Sequence, residues 1–160
     1  MKRNILTFTL AVLSITCAFV SVQGQTTAQK TSERRVVQLP GAPAPRAPIS
    51  PAIVAGDFVF ASGAIGIDPK TGQMVEGGVE AEAEQVLKNL TAVLEAAGSS
   101  ISHVVKATVF LADMNDYAAM NEIYRRHFKQ EFPARSAVQV AKLPANARIE
   151  IEAIAVLKKN

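Results

Sequence analysis

The sequence predicts an α+β fold, a single mixed sheet of about six strands with two helices packed on one face. Two segments repeat apolar residues at helical spacing, and six others are short, β-branched or alternating. Their order along the chain is β, β, β, α, β, α, β, β. This order predicts one sheet covered by both helices on the same side.

The first part of the domain is predicted to be a meander or hairpin. Residues 35–39 can form a short strand, and the proline-rich segment 40–48 predicts an extended loop, because proline fixes φ and lacks an amide donor. Residues 53–62 form two extended pieces around Gly56-Asp57. The turn residues from Asp68 to Gly72 then reverse the chain.

Both helices are predicted from apolar residues that recur at intervals of three and four. The first spans residues 79–97, and Gly98 ends it because glycine tolerates the left-handed conformation. Asn115 or Asp116 caps the second helix, which ends near Phe132-Pro133. One side of the second helix is predicted to enter the core through four residues: Tyr117, Met120, Tyr124 and Phe128.

The remaining strands are predicted at residues 104–112, 136–143 and 148–157. Pro144 to Ala147 favours a reversal, so the last two strands are expected to pair as a hairpin. Alternation places Ile149 and Ile151 on one face of the last strand, and Glu150 and Glu152 on the other. An open sheet face that carries both apolar and acidic side chains predicts burial against sister subunits.

The N-terminal segment has the pattern of a secretory signal. Lys2 and Arg3 precede an apolar run over residues 5–22, and Gly24 offers a small residue at the cleavage point. We therefore predict a signal peptide over residues 1–24, a flexible lead-in over 25–34 and a domain over 35–160. The alternative is an uncleaved membrane anchor, because the apolar run is long enough to span a bilayer.

Composition excludes several classes of function. Without Lys2 and Arg3, 15 basic residues face 14 acidic ones, and no aromatic run accompanies the scattered basic residues, so nucleic-acid binding is not expected. The only cysteine, Cys17, lies in the apolar run. His103 and His127 lack metal-ligand spacing and are interpreted as surface or packing residues, so no metal site is predicted.

The C-terminal part of the chain resembles the signature of the RidA (YjgF) family. The resemblance is carried by residues 132–144, FPARSAVQVAKLP, and 149–155, IEIEAIA. Further matches are Ser62-Gly63 before the Pro-Lys-Thr-Gly turn, Ala96 to Gly98, and Thr108 to Leu111 ahead of Asn115 to Tyr117. Together they cover about residues 34–157 and imply the chorismate-mutase-like fold of that family.

The resemblance implies an imine and enamine deaminase. Such proteins are homotrimers with ligand clefts between subunits, and they hydrolyse intermediates such as 2-aminoacrylate and 2-iminobutyrate to 2-keto acids and ammonia without a cofactor. Arg135 matches the arginine that holds the substrate carboxylate, a task that suits the planar, permanently charged guanidinium. Glu150 matches the glutamate that handles water and protons, with Glu152 as the alternative.

Four further positions belong to the site implied by the resemblance: Ser62, Gly63, Asn121 and Ala137. Many deaminating relatives have cysteine in place of Ala137 and an aromatic residue, often tyrosine, in place of Ile49. A thiol nucleophile is therefore excluded, and any reaction must be direct hydrolysis. Two functions stay open, an exported deaminase that binds small imino or keto acids, and a non-catalytic binding or interaction module of the same fold. A ribonuclease ranks third.

Overall fold

One six-stranded mixed sheet forms the domain in the computed structural model, which describes residues 33–41, 47–129 and 131–159. The strand order is β1-β2-β3-β6-β4-β5. The strands are β1 (Arg34–Val37), β2 (Ala52–Ala55), β3 (Phe58–Ile65), β4 (Val104–Leu111), β5 (Ala134–Gln139) and β6 (Ile149–Val156). The predicted mixed sheet is confirmed. The predicted signal peptide and nearly all of the predicted lead-in lie outside the described residues.

Strands β1, β2 and β3 form the predicted antiparallel meander. Gly56, at φ 59°, lies in the tight turn between β2 and β3. The register of β3 against β6 shifts between Ala61 and Ala64, so Ser62 and Gly63 together face one residue of β6. This irregularity is a β-bulge, a device that often re-aims a strand beside a functional site.

Helix α1 (Gly78–Ala96) packs against β3 and β6. Val86, Leu87 and Leu90 are fully buried on its inner side, as the helical spacing predicts. Gly98, at φ 89°, follows the last turn, and its amide bonds to the carbonyl of Glu95. The predicted helix and its glycine stop are confirmed.

Helix α2 (Tyr117–His127) lies on the same side of the sheet and packs against α1. Asp116 is its N-cap residue, but its carboxylate does not cap the helix and instead accepts hydrogen bonds from Arg148. Met120, Tyr124 and Phe128 are buried as predicted. Tyr117 is not in the core, because 39% of its surface is exposed at the edge of the sheet.

The predicted hairpin between the last two strands is wrong. Strand β5 pairs in parallel with β4, and β6 lies between β3 and β4. The physical reason is the helix before β5, since a strand, a crossover helix and a second strand return the chain parallel to the first strand. Ala145 and Asn146 still reverse the chain with left-handed φ values of 52° and 55°.

The alternation predicted for β6 is confirmed. Ile149 and Ile151 are fully buried under the helices, whereas Glu150 and Glu152 project from the opposite face. That face also exposes Phe58, Phe60 and Val138, so it is apolar as well as acidic. Its burial by sister subunits stays a prediction. In the described part of the chain, no helix has the length and apolar character needed to cross a membrane.

Candidate functional site

Arg135 is placed where the edge of the sheet meets the second helix. It lies on β5 opposite Ala107 of β4, and Ala107 in turn pairs with Ala153 of β6. Ala107 and Ala153 are buried beneath the helices, so the Arg135 side chain leaves the sheet on the helix-covered face. Because β5 is the edge strand of the sheet, the side chain reaches α2 instead of the core.

Neutral groups hold the Arg135 guanidinium. Its Nη2 donates to Asn121 Oδ1 at 2.7 Å and to Tyr117 Oη at 3.1 Å. The guanidinium carbon lies 4.5 Å from the ring centroid of Tyr124, within the range of a cation–π contact. Among the described residues no carboxylate forms a salt bridge with Arg135. Its positive charge is therefore oriented but not neutralised, which suits the binding of an anion.

A cleft of about 590 Å³ opens beside this guanidinium. Asn121 and Ala137, both predicted site residues, line the cleft together with Arg135. Phe132 contributes an apolar wall and is 57% exposed. The cleft thus combines two arginines, Arg135 and Arg125, with one amide and apolar surface, a composition that fits a small organic carboxylate.

The two tyrosines beside Arg135 differ in environment. Hydrogen bonds with Asn121 and Arg135, together with the positive charge of Arg135, lower the pKa of the exposed Tyr117 phenol. Burial raises the pKa of Tyr124 to about 12. The Tyr124 hydroxyl is buried and has no hydrogen-bond partner within the described residues. Sequence reasoning missed Tyr117, although its spacing of four residues from Asn121 places both on one face of α2.

Glu150 lies in a separate group of predicted site residues. Its side chain crosses directly over Gly63, because a Cβ atom at position 63 would overlap the Glu150 carboxylate and lie 2.8 Å from its Cδ. Ser62, the other residue of the bulge, donates its hydroxyl to the carbonyl oxygen of Ser50 at 2.7 Å. Partial burial, and then the charge of Glu152, raise the pKa of Glu150.

The six predicted site residues thus form two groups in one chain. Arg135, Asn121 and Ala137 share the cleft at the edge of the sheet. Glu150 contacts the bulge and projects from the sheet face that the helices do not cover, where it is aligned with Phe110 of β4. Since Arg135 and Glu150 leave the sheet from opposite faces, one chain does not bring the two groups together.

Ile49 and Ser62 line a second, mostly apolar cavity of about 330 Å³ between the β1–β2 region and α1. Ile49 is 58% exposed at its rim. This cavity adjoins the Glu150 group instead of the Arg135 cleft. Many deaminating relatives carry an aromatic residue at the position of Ile49. Here that position lies at the rim of this cavity.

Neither histidine lies in the Arg135 cleft. His103 Nδ1 is 2.7 Å from the Ser100 hydroxyl, and His127 pairs with Glu84 at 3.1 Å. Within residues 33–41, 47–129 and 131–159, no three His, Cys, Asp or Glu side chains are grouped closely enough to hold a metal ion.

Comparison with known proteins gives consistent matches over the described domain. The family model described as Endoribonuclease L-PSP matches residues 40–157. The human 2-iminobutanoate/2-iminopropanoate deaminase is 51% identical over 123 residues, covering 77% of this chain and 90% of the human protein. A RutC family protein from Pyrococcus horikoshii is 52% identical over 122 residues, covering 76% and 97%.

Solved structures agree in both fold and sequence. A putative endoribonuclease from Thermotoga maritima is 50% identical with a TM-score of 0.74, covering 78% of this chain and 98% of its own. RidA from an Antarctic Psychrobacter is 42% identical with a TM-score of 0.73, covering 77% and 99%. With the family model and the identities in agreement, the chain belongs to the RidA/YjgF family, whose model carries the description Endoribonuclease L-PSP.

Proposed function

We propose that this protein hydrolyses small 2-imino acids of the 2-iminobutanoate and 2-iminopropanoate type to 2-keto acids and ammonia. The observation that carries the proposal is the Arg135 guanidinium, which neutral partners hold beside an open cleft without a carboxylate of the described chain to neutralise it. The human relative that carries the deaminase name is 51% identical, which supports the same reaction class.

The proposed reaction needs only an oriented carboxylate and one proton-transfer group. Arg135 pairs with the substrate carboxylate, which fixes the position of the adjacent C=N carbon. The Glu150 carboxylate takes a proton from water as the water oxygen bonds to that carbon, and it returns the proton to nitrogen. This step gives a carbinolamine, whose hydroxyl proton passes through Glu150 to the amino nitrogen as the C–N bond breaks, which releases ammonia and leaves the ketone. The raised pKa of Glu150 suits this exchange, because a more basic carboxylate accepts a proton from water more readily.

Two copies of the chain complete the proposed site. Arg135, Asn121 and Ala137 come from one copy, and Glu150, Ser62 and Gly63 come from its neighbour. The separation of the two groups on opposite sheet faces supports this arrangement, as does the exposed apolar face that carries Phe58 and Phe60. A cyclic homotrimer with three equivalent clefts satisfies both observations.

We also propose that the protein is exported. Lys2 and Arg3, the apolar run over residues 5–22 and the small residue Gly24 together support cleavage of a signal peptide. The exported product would be residues 25–160, in the periplasm or outside the cell. N-terminal sequencing of the protein recovered from its native compartment tests this proposal, and a chain that still begins at Met1 contradicts it.

The alternative function is a non-catalytic module that binds small carboxylates or a protein partner. Ala137 and Ile49 favour it, because both replace side chains that many deaminating relatives carry. The family description as an endoribonuclease finds less support. Of the two histidines, neither faces the Arg135 cleft, and the described surface offers no histidine pair for phosphodiester chemistry.

The deciding experiment measures ammonia and 2-keto acid release from freshly generated 2-iminobutanoate by the purified full chain. Arg135→Ala is expected to lower kcat/KM by about 100-fold or more, since loss of one partner from a charge pair costs about 2–5 kcal/mol. Arg126→Ala is the matched control, because Arg126 is an exposed arginine of α2 that does not line the cleft. Wild-type release no faster than buffer would overturn the deaminase proposal and favour the binding module.

A further inference from the structure

The Tyr117 hydroxyl lies at the open side of the Arg135 cleft. Tyr117 occupies the first position of α2, lines the cleft and exposes 39% of its surface. Its oxygen accepts a hydrogen bond from Arg135 Nη2 at 3.1 Å, and the guanidinium carbon is 5.6 Å from its ring centroid. A ligand that reaches Arg135 from solvent therefore meets this phenol.

The groups that surround the Tyr117 hydroxyl leave its proton available to such a ligand. A guanidinium has five donors and no acceptor, so Arg135 cannot take the Tyr117 proton. The hydrogen bond from Asn121 lowers the pKa of Tyr117, so it is donated to the phenol oxygen and does not use the phenol proton. Within the part of the chain that the structure describes, Tyr117 donates to no other group, which leaves its O–H able to turn towards the cleft.

We infer that Tyr117 is a ligand-binding residue whose phenol O–H donates a hydrogen bond to the carboxylate that Arg135 pairs with. The inference rests on the proposed function and adds a second donor to the carboxylate subsite. Arg135 supplies the charge, and Tyr117 supplies a directional neutral donor beside it. Together they make the subsite selective for a planar carboxylate over a neutral amide, which presents no second charged oxygen.

The electrostatic setting of Tyr117 strengthens this role. Hydrogen bonds with Asn121 and Arg135 are the main causes of its lowered pKa, and the positive charges of Arg135 and Arg125 lower it further. The nearest acidic residue along the chain is Asp116, whose carboxylate is engaged by Arg148. A phenol of lowered pKa is a stronger donor to an anionic oxygen than an ordinary phenol.

The first test compares the binding of 2-oxobutanoate, the expected product, to the full chain by calorimetry. Tyr117→Phe removes only the hydroxyl and is expected to weaken binding about tenfold, since hydrogen bonds to charged groups are the stronger ones. Arg126→Ala is the matched control, because Arg126 is exposed on the same helix as Tyr117 and does not line the cleft, so its effect is expected to stay below threefold. A change of less than twofold in Tyr117→Phe would overturn the inference.

A spectroscopic titration supplies a readout that a merely structural tyrosine would not move. The chain has two tyrosines and no tryptophan, so phenolate absorbance reports on Tyr117 and Tyr124 alone. Tyr117 should ionise well before Tyr124, whose pKa is about 12. Saturating 2-oxobutanoate should move the first transition to higher pH, because an accepting carboxylate favours the protonated phenol. A first transition that does not respond to 2-oxobutanoate contradicts the inference.

The two proposals fail in distinguishable ways. If wild type releases ammonia and Tyr117→Phe binds 2-oxobutanoate as tightly as wild type does, the deaminase proposal stands and the Tyr117 inference falls. If wild type binds 2-oxobutanoate in a Tyr117-dependent manner without turnover, the inference stands and the deaminase proposal falls. If wild type binds no 2-oxobutanoate at all, the carboxylate subsite itself is wrong and the inference falls with it.

Discussion

Arg135 and Glu150 lie on strands that are separated by one strand of the sheet, yet their surroundings differ. Arg135 is fixed by direct partners from its own chain, at 2.7 Å to Asn121 and 3.1 Å to Tyr117. Within the described residues no salt bridge holds the Glu150 carboxylate. Its carboxylate lies across Gly63 on a face that also exposes Phe58 and Phe60, and its pKa is raised by partial burial and by Glu152.

The difference indicates that Arg135 is oriented by its own chain, whereas Glu150 needs additional contacts to fix its position. The cation is already oriented in a single chain, so binding costs it little further loss of side-chain freedom. The carboxylate sits on an apolar face of the kind that proteins cover in an assembly. We therefore expect its position to be fully defined when a second copy of the chain packs against that face.

Oligomers that mix two inactive variants test whether Arg135 and Glu150 act from different copies, and we expect this experiment to change the activity most. Arg135→Ala and Glu150→Gln chains should each be nearly inactive alone, because each lacks one half of every site. Denatured together in equal amounts and refolded, they should recover about one quarter of wild-type activity, since one neighbouring pair in four then combines an intact Arg135 with an intact Glu150. Ammonia release from 2-iminobutanoate measures the recovery.

The control for that experiment is the same mixture prepared without the denaturation step, in which subunits have not exchanged. Its activity should remain at the level of the separate variants. Recovery that stays at zero after verified subunit exchange would place both residues in one chain's site. It would thereby contradict a cleft shared between copies.

Gly63→Ala tests whether the position of the Glu150 carboxylate matters for the reaction. The added methyl group overlaps the Glu150 carboxylate, which must swing away because it is the flexible end of a side chain. We expect kcat to fall about 10- to 100-fold, at or below the lower end of the roughly 10²- to 10⁴-fold that general acid–base groups contribute, because the carboxylate is displaced but not removed. The unfolding temperature should change little, because the displaced group is a side chain and not the backbone.

A double-variant comparison isolates the cause. In a Glu150→Ala background the methyl group at position 63 has no carboxylate to displace, so Gly63→Ala should lower kcat no further. Additive losses in the double variant would show that the methyl group acts through the bulge and not through Glu150.

Much of this fold follows from local sequence patterns. Helical spacing identifies α1, strict alternation assigns the two faces of β6, and turn residues mark the meander. Strand adjacency did not follow, because Pro144 to Ala147 specify a reversal of direction but not which strand lies alongside. Strand β5 does run opposite to β6, but β4 lies between them, and only the crossover through α2 explains that placement.

For a similar reason, some residues of the site could be predicted from the sequence and Tyr117 could not. The family resemblance identified Arg135 and Asn121, and the structure brings them to 2.7 Å. Tyr117 was assigned to the core from its helical spacing, yet spacing gives only the face of a helix and not where the covering sheet stops. The first turn of α2 extends past that edge, so the same face is buried at Tyr124 and exposed at Tyr117.

The pKa values of two glutamates, Glu84 and Glu150, are shifted in opposite directions, and we expect their replacement to change the unfolding free energy only slightly. Hydrogen bonding and charge from His127 lower the pKa of Glu84, whereas partial burial raises that of Glu150. Glu84 therefore stabilises the fold above the ordinary glutamate pKa, and this contribution is lost as pH falls through its lowered value. Glu150 has the reverse sign, because its ionisation costs stability as pH rises through its raised value.

We expect Glu84→Gln to lower the unfolding free energy at neutral pH by about 0.5 kcal/mol, a value typical of a largely exposed pair. Glu150→Gln should raise it by a similar or smaller amount, and both differences should shrink towards zero in acid, once each carboxyl is protonated in the folded and unfolded chain. Urea unfolding at neutral and acidic pH measures both. A Glu150→Gln variant that is less stable than wild type at neutral pH would show that the ionised carboxylate has a stabilising partner, which would place that partner on the neighbouring copy.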